Sequence, residues 1–204
     1  MKLRHAFLVG LFVTLPAALM AGDDPVFNGK DLSGWTAKDK DEAHDTQKYW
    51  KVEDGVIIGD NPDKKNSVLW TDREFGDYEL TLEFKTESPD YDSGLFLHGE
   101  SHQVQIGISR SLKKDLTACV YAPIDGKGGY PAISDKVAEV HKPGEWNQLK
   151  VVVEGKRIRT WLNGELFVDY EGAKFPPKGP IGLQLHAGVH QKMEFRGIEV
   201  KEGE

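Results

Sequence analysis

The sequence predicts an all-β fold, a two-sheet antiparallel sandwich of the jelly-roll type with one concave face. Three observations support this prediction. Apolar and polar residues alternate with a period of two in most segments after residue 25. Turn residues are frequent, with 22 Gly and 10 Pro among 204 residues, and they separate about eleven short candidate strands. No segment carries the long periodicity of an amphipathic helix, so helices are expected to be limited to single turns.

The first 21 residues have the features of a secretory signal peptide. Lys2 and Arg4 form a basic start, and the stretch from Ala6 to Leu15 is almost wholly apolar. This stretch is too short to span a bilayer, although an uncleaved membrane anchor is the alternative interpretation. We therefore expect residues 1–21 to be removed and residues 25–204 to form a single domain. The mature protein is predicted to be secreted or periplasmic, with no membrane partner.

The predicted strands follow one another along the chain and are joined by short turns. Asp54-Gly55 and Asn163-Gly164 are two-residue hairpin signals between alternating runs. Near the C-terminus the apolar residues change register, and a bulge at Arg196-Gly197 would reconcile the two halves. The clearest strands are residues 49–52, 56–58, 78–85, 94–98, 103–108, 149–154, 181–186 and 193–200.

The segment from Ala122 to Ala132 is predicted to be the longest loop of the chain. It contains three glycines and two prolines, a composition that suits a mobile surface loop and a lid. These glycines do not form a phosphate-binding loop, because neither a strand-to-helix transition nor a G-K-[ST] sequence accompanies them.

Charge and cysteine content exclude several classes of function. The chain has 33 acidic and 26 basic residues, a net charge of −7, so nucleic acid and anionic membranes are not expected as partners. Cys119 is the single cysteine, so no intrachain disulfide can form and its thiol is expected to be buried. No H-E-x-x-H or C-x-x-C motif occurs, and we predict neither a metal site nor a cofactor.

Three predicted strands carry amide and imidazole groups, with small neighbours, on the face that is usually solvated by Lys and Glu. Amides and imidazoles both donate and accept hydrogen bonds, and glycines leave room for a sugar ring, so this face suits an uncharged ligand rich in hydroxyls. An ordinary polar outer face is the alternative. The residues are Gly94, Phe96 and His98, then Gln103, Gln105 and Gly107, then Gly182, Gln184 and His186.

Glu83 and His98 are candidates for acid–base work if their side chains face the same surface. Histidine titrates near neutral pH and is therefore the usual general base. For Glu83 the simpler interpretation is an ordinary solvent-facing residue of a strand, with no catalytic role. Trp161 is the best candidate for an aromatic sugar platform, although tryptophans more often belong to the core. No E-x-D-x-x-E or E-x-D-x-E string occurs, which counts against a glycosidase with two catalytic carboxylates.

Seven segments spread over the whole chain carry the motifs of one known family. They are Phe27–Trp35, Trp50–Ile57, Ser93–Leu97, Gln103–Ile106, Lys142–Asn147, Trp161–Gly164 and Gly179–His186. Together they resemble the 3-keto-disaccharide hydrolase family, which has a concanavalin A-like sandwich fold and is secreted by bacteria. The resemblance implies the same fold here. Two positions differ from the family pattern: His98 stands where Arg is usual, and Gln103 stands where Glu is frequent.

The resemblance further implies cleavage of glycosides that are oxidised at C3 of the sugar. A ketone at C3 acidifies the hydrogen on C2, so that one base can start an elimination at C1 that hydration completes. His98 or Glu83 would be the base. The remaining site residues would bind hydroxyls and the enolate oxygen or close over the ligand; they are His186, Gln184, Gln103, Gln105, Tyr121, Tyr130 and Trp161.

Two other functions compete with this hypothesis. A carbohydrate-binding module without catalysis would present the same face but lack a working acid–base pair, and a purely structural domain would bind no small ligand. Geometry separates the three, because the enzymatic hypothesis requires Glu83, His98, Gln105 and His186 to converge on one concave surface.

Overall fold

Antiparallel strands make up most of the chain in the computed structural model, which describes residues 25–38, 45–172 and 174–203. Helical structure in these residues is limited to one α-helical turn and one 3₁₀ turn. The elements are β1 (Trp35–Lys38), a 3₁₀ turn (Gln47–Tyr49), β2 (Trp50–Glu53), β3 (Val56–Asp60), β4 (Ser67–Phe75), β5 (Tyr78–Lys85), β6 (Asp92–Leu97), β7 (His102–Ser109), β8 (Lys114–Asp115), β9 (Val120–Ile124), β10 (Lys127–Ala132), α1 (Val137–Val140), β11 (Asn147–Glu154), β12 (Arg157–Leu162), β13 (Glu165–Glu171), β14 (Gly179–Leu185) and β15 (Lys192–Glu202).

The strands form two sheets that pack face to face. The front sheet has the order β1-β4-β14-β6-β7-β9-β10, with β8 paired to β7. The back sheet has the order β13-β12-β11-β5-β15-β3-β2. All pairings in both sheets are antiparallel. The predicted two-sheet antiparallel sandwich is therefore confirmed.

The core lies between the sheets and follows the alternation read from the sequence. In β5, Leu80, Leu82 and Phe84 are at most 1% exposed, while the residues between them are half-buried on the opposite side. In β15 the register against β5 shifts after Arg196. The shift lets both Phe195 and Ile198 enter the core, so the predicted bulge is confirmed and its reason is core packing.

The prediction of a loop at residues 122–132 is wrong. Residues 122–124 belong to β9 and residues 127–132 form β10, and these two strands are paired. Asp125 and Gly126 both have positive φ, 49° and 79°, as a two-residue hairpin turn requires. The Asp-Gly pair was the signal for this hairpin, and the high glycine content obscured it. The segment is consequently part of the front sheet.

The predicted signal peptide, residues 1–21, lies outside the described residues. Within the part of the chain that the structure describes, no helix is long and apolar enough to cross a membrane.

Candidate functional site

The outer face of the front sheet contains a recess of about 490 Å³, which we call the main recess. The strands β14, β6, β7 and β9 present their outward side chains to it, while Leu95, Val104 and Leu183 on the same strands face the core. The lining residues are Asn66, Val68, Asp92, Phe96, Glu100, Gln103, Gln105, Ser109, Arg110, Ser111, Tyr121, Tyr130, Gln184, His186 and Ala187.

A chain of hydrogen bonds fixes the floor of the main recess. The Tyr130 hydroxyl donates to Gln105 Oε1 at 2.8 Å, and Gln105 Nε2 donates to Asp92 Oδ1 at 2.8 Å. The other Asp92 oxygen accepts the backbone N–H of Arg110 at 3.1 Å. Burial raises the pKa of Tyr130 to about 12, so at neutral pH its hydroxyl remains a donor. The Gln105 amide is thus held in one orientation.

Arg110 brings a positive charge to one wall of the recess. Its guanidinium makes two hydrogen bonds to Asp90, at 3.0 and 2.7 Å, and its Nε lies 3.5 Å from Asp92 Oδ2. The hydrogen bonds from Arg110 lower the pKa of Asp90, and the same contact raises the pKa of Arg110. Both groups therefore keep their charges around neutral pH, and Asp92 has a fixed cationic neighbour.

An amide pair crosses the recess, where Gln103 Nε2 donates to Gln184 Oε1 at 2.5 Å. The Gln103 side chain lies flat over Gly94, where a Cβ would come within 2.2 Å of it. In the same way Gly182 accommodates the ring of Trp70, at 2.6 Å from such a Cβ. The glycines therefore make room for protein side chains, which corrects the prediction that they leave space for a sugar ring.

His186 is half-buried at the edge of the main recess. Its Nδ1–H donates to the carbonyl oxygen of Ala187 at 2.6 Å. Because a carbonyl oxygen only accepts, Nδ1 carries the proton, and in the neutral ring the lone pair lies on Nε2. His186 thus lines the recess with an Nε2 that carries no proton in the neutral ring.

Two fully buried amides hold the segments that carry His186 and Asp92. Asn61 Nδ2 donates to the carbonyl oxygens of Lys65 and His186, and Asn61 Oδ1 accepts from the backbone of Gln191. The Gln191 side chain donates to the Asp92 carbonyl at 2.7 Å and accepts the Asp92 N–H at 2.9 Å. The backbone N–H of His186 also reaches the Asp92 carbonyl, at 3.3 Å. These contacts fix the backbone at both residues.

Six of the nine predicted site residues lie together in the main recess: Gln103, Gln105, Tyr121, Tyr130, Gln184 and His186. Three do not, so the predicted convergence of Glu83 and His98 with Gln105 and His186 is wrong.

His98 points away from the main recess. It follows the last residue of β6 and has a positive φ of 51°, which interrupts the strand alternation. Its ring stacks on Phe175 at 4.5 Å. Nδ1 lies 2.7 Å from the carbonyl oxygen of Pro176 and Nε2 lies 2.8 Å from that of Gly76. Both nitrogens are engaged with backbone, so His98 joins two loops and neither nitrogen is free to act as a base.

Glu83 lies on the outer face of the back sheet, because it alternates with the core residues Leu82 and Phe84 of β5. Its carboxylate accepts a hydrogen bond from Arg196 Nε at 2.8 Å. The same guanidinium lies 3.9 Å from the ring centre of Trp146. Glu83 is therefore part of a surface ion pair, separated from the recess by the core.

Trp161 also lies on the outer face of the back sheet, in β12. The cations of Lys150 and Arg159 lie 5.3 and 5.8 Å from its ring centre. These side chains flank the ring, which does not contact the main recess.

Replacing Glu83 with Gln is expected to leave binding and turnover in the main recess within two-fold of wild type. The Glu83–Arg196 pair is more than a third exposed on both sides, so unfolding free energy should change by at most about 1 kcal/mol. Steady-state kinetics and urea unfolding check both values. A large loss of activity without loss of stability would show that Glu83 contributes to the function of the recess.

Sequence reasoning missed six polar residues of the recess: Asn66, Asp92, Glu100, Ser109, Arg110 and Ser111. Asp92 immediately precedes Ser93-Gly94 at the start of β6, so the outward register of Gly94 and Phe96 could have identified it. Arg110 and Glu100 follow strand ends, where alternation gives no direction. Among the described residues no cluster of His, Cys, Asp and Glu is suited to hold a metal ion.

Several known structures share this fold. Two crystal structures of proposed glycosyl hydrolases from Parabacteroides distasonis superpose with TM-scores of 0.64 and 0.63, at 21% and 24% identity. Each alignment covers 88% of this chain, and they cover 93% and 98% of the other chains. The carbohydrate-binding module CBM66 from Bacillus subtilis superposes with a TM-score of 0.61 at 15% identity, over 83% of this chain and 96% of its own.

These structural similarities establish the sandwich fold alone. A comparison with curated proteins finds no significant match. The model of the 3-keto-alpha-glucoside-1,2-lyase-like domain family, in contrast, matches residues 22–201, almost the whole chain. The protein therefore belongs to the 3-keto-alpha-glucoside-1,2-lyase-like domain family, as its sequence motifs indicate.

Proposed function

We propose that the protein is a carbohydrate-active enzyme that cleaves 3-keto-glycosides in the main recess. The observation that carries the proposal is the position of His186, whose Nε2 is available as a base beside a floor of amide and phenol groups. Family membership supports the substrate class. The enzymatic hypothesis fails in the form read from the sequence, which required Glu83 and His98 to converge with Gln105 and His186, because Glu83 and His98 lie outside the recess. The present proposal keeps the reaction and gives the role of the base to His186 alone.

The reaction begins when His186 Nε2 removes the proton on C2, which the neighbouring ketone acidifies. The resulting enolate oxygen on C3 needs hydrogen-bond donors. Gln184 Nε2 is such a donor, because its amide oxygen is occupied by Gln103 and the nitrogen has no partner among the described residues. Asp92 and Tyr130 hold the Gln105 amide in one orientation. In that orientation the amide forms a hydrogen bond with a sugar hydroxyl.

Bond cleavage then follows from the enolate. The C3 ketone re-forms, a double bond forms between C1 and C2, and the C1–O bond breaks with its electron pair on the leaving oxygen. That oxygen takes a proton from a solvent water in the open recess. The hydroxide left behind adds to C1, and the His186 imidazolium returns its proton to C2, so the net reaction is hydrolysis.

Incubation with a 3-keto-glucoside and with the matching unoxidised glucoside, both in D₂O, tests this proposal. We expect release of the leaving group from the keto substrate only, with deuterium at C2 of the sugar product, since the proton on His186 exchanges with solvent. Turnover of the unoxidised glucoside, or product without deuterium at C2, would contradict the elimination route.

A carbohydrate-binding module without catalysis is the second candidate function. It is favoured by the placement of Glu83 and His98 outside the recess and by the shared fold of the Bacillus subtilis carbohydrate-binding module. Calorimetric binding of the keto-glucoside, without turnover or C2 exchange, would support this candidate over the enzyme.

Export remains part of the proposal, because the basic start and apolar stretch within residues 1–21 suit a cleaved signal peptide. N-terminal sequencing of protein recovered from the periplasm or the medium checks it. A mature chain that begins at Met1 would contradict it.

A further inference from the structure

A second recess of about 420 Å³ lies on the same outer face, beside the main recess. It occupies the β1–β4 edge of the front sheet, where Thr36 is the cross-strand partner of Trp70. Glu100 lines both recesses. The two recesses are therefore neighbours on one continuous face.

A buried apolar cluster lies between the two recesses. Trp70 lines the second recess and Phe96 lines the main one, and their rings stack with centroids 5.3 Å apart at an interplanar angle of 28°. With Val68 they form a hydrophobic cluster that is separate from the core between the sheets. A ligand that extends from one recess into the other would pass over this cluster, whose members are at most 8% exposed.

The chemistry of the second recess suits a sugar. The Asp72 carboxylate is exposed at one wall and accepts the Thr36 hydroxyl at 2.7 Å, which leaves its other oxygen able to accept a ligand hydroxyl. Glu74 lies further along the same strand and lines the recess as well, whereas Trp70 is only 8% exposed. Ligand sites are concave and orient their ligand with a small number of placed polar groups, which Asp72 and Thr36 supply here.

We propose that the second recess binds further sugar residues of the substrate, so that the preferred substrate is a 3-keto-oligosaccharide. The inference rests on the proposed function of the main recess. Four strand spacings separate β4 from β9 in the order β4-β14-β6-β7-β9. At about 4.8 Å each, the face spans ~19 Å, which is longer than a single sugar ring.

Calorimetry with two ligands tests the second recess independently of turnover. The probes are a 3-keto-glucoside of a small alcohol and a 3-keto-oligosaccharide with the same reacting sugar. Wild-type protein is expected to bind the oligosaccharide at least about five-fold more tightly, since each hydrogen bond contributes around 1 kcal/mol. Asp72→Ala should abolish this advantage and leave the affinity for the small glucoside within two-fold.

Glu139→Ala is the matched control, because Glu139 is an exposed carboxylate on α1 outside both recesses. This variant should bind the oligosaccharide more tightly than the small glucoside by the same factor as the wild-type protein. Equal affinities for the two ligands in wild type, or an advantage that persists in Asp72→Ala, would overturn the second site. Length-dependent binding without turnover of either ligand would overturn the proposed catalysis and leave the second site standing.

Discussion

Replacing His186 with Gln is expected to lower kcat for 3-keto-glycoside cleavage by about 10²- to 10⁴-fold, the usual contribution of a general base. Glutamine keeps a hydrogen-bonding side chain of similar reach, but its nitrogen carries no lone pair that can take the C2 proton. Substrate affinity should change little, because the amide floor built on Gln105 and Gln184 is retained. Single-turnover rates and calorimetric Kd values measure the two effects separately.

His190→Gln is the matched control for this variant. His190 lies on the same β14–β15 connection, but it is exposed and its Nε2 is 3.0 Å from Asp60 Oδ1 instead of facing the recess. Its replacement should leave kcat within two-fold. Equal losses of kcat in both variants would show that the connection has only a structural role. An unchanged rate of C2 exchange in His186→Gln would show that His186 is not the base.

Strand periodicity predicted much of the candidate site. Gln103 and Gln105 occupy alternate positions of β7, and Gln184 occupies the same face of β14, which β6 separates from β7. A strand in register keeps these side chains on one face without further information. Gln103, Gln105 and Gln184 follow from alternation within a strand, and His186 continues the alternation of β14 by one residue. Tyr121 and Tyr130 reach the recess from the β9–β10 hairpin and not from the predicted loop.

Periodicity failed where the position depended on more than the strand itself. Glu83 has the outward register of β5, but alternation does not reveal that β5 belongs to the back sheet. His98 continues the alternation of β6 in sequence, whereas its positive φ turns the side chain toward Phe175. The correct result required knowledge of the sheet order and of a single backbone angle, and neither is encoded in local hydrophobicity.

The amides that support the site are invisible to local sequence patterns for a related reason. The bonds from Gln191 to Asp92 join residues 99 positions apart, and the bond from the Gln191 backbone to Asn61 joins residues 130 positions apart. Each amide lies in a connection between strands, where polar residues are common. The sequence therefore does not distinguish it from an ordinary loop residue. Only the fold brings the connections after β3 and β14 together at the start of β6.

Replacing Asn61 with Ala is expected to lower the free energy of unfolding by about 3 kcal/mol. The side chain is fully buried and makes three hydrogen bonds, to the carbonyl oxygens of Lys65 and His186 and from the N–H of Gln191. Its removal leaves buried backbone groups without partners, each at a cost of about 1–3 kcal/mol, partly offset by water entering the space. Urea unfolding with an unchanged m-value measures the loss.

Asn28→Ala separates burial from the number of hydrogen bonds. The Asn28 side chain also makes three hydrogen bonds, to Asp31 and from the backbone of Lys30 and Asp31, but it lies in an exposed turn. Water can replace those partners, so the expected cost is below about 1 kcal/mol. Similar losses in both variants would contradict the structural role given to Asn61. If that role holds, Asn61→Ala should also lower kcat, because the carbonyl oxygen of His186 loses the bond that anchors the base beside the recess.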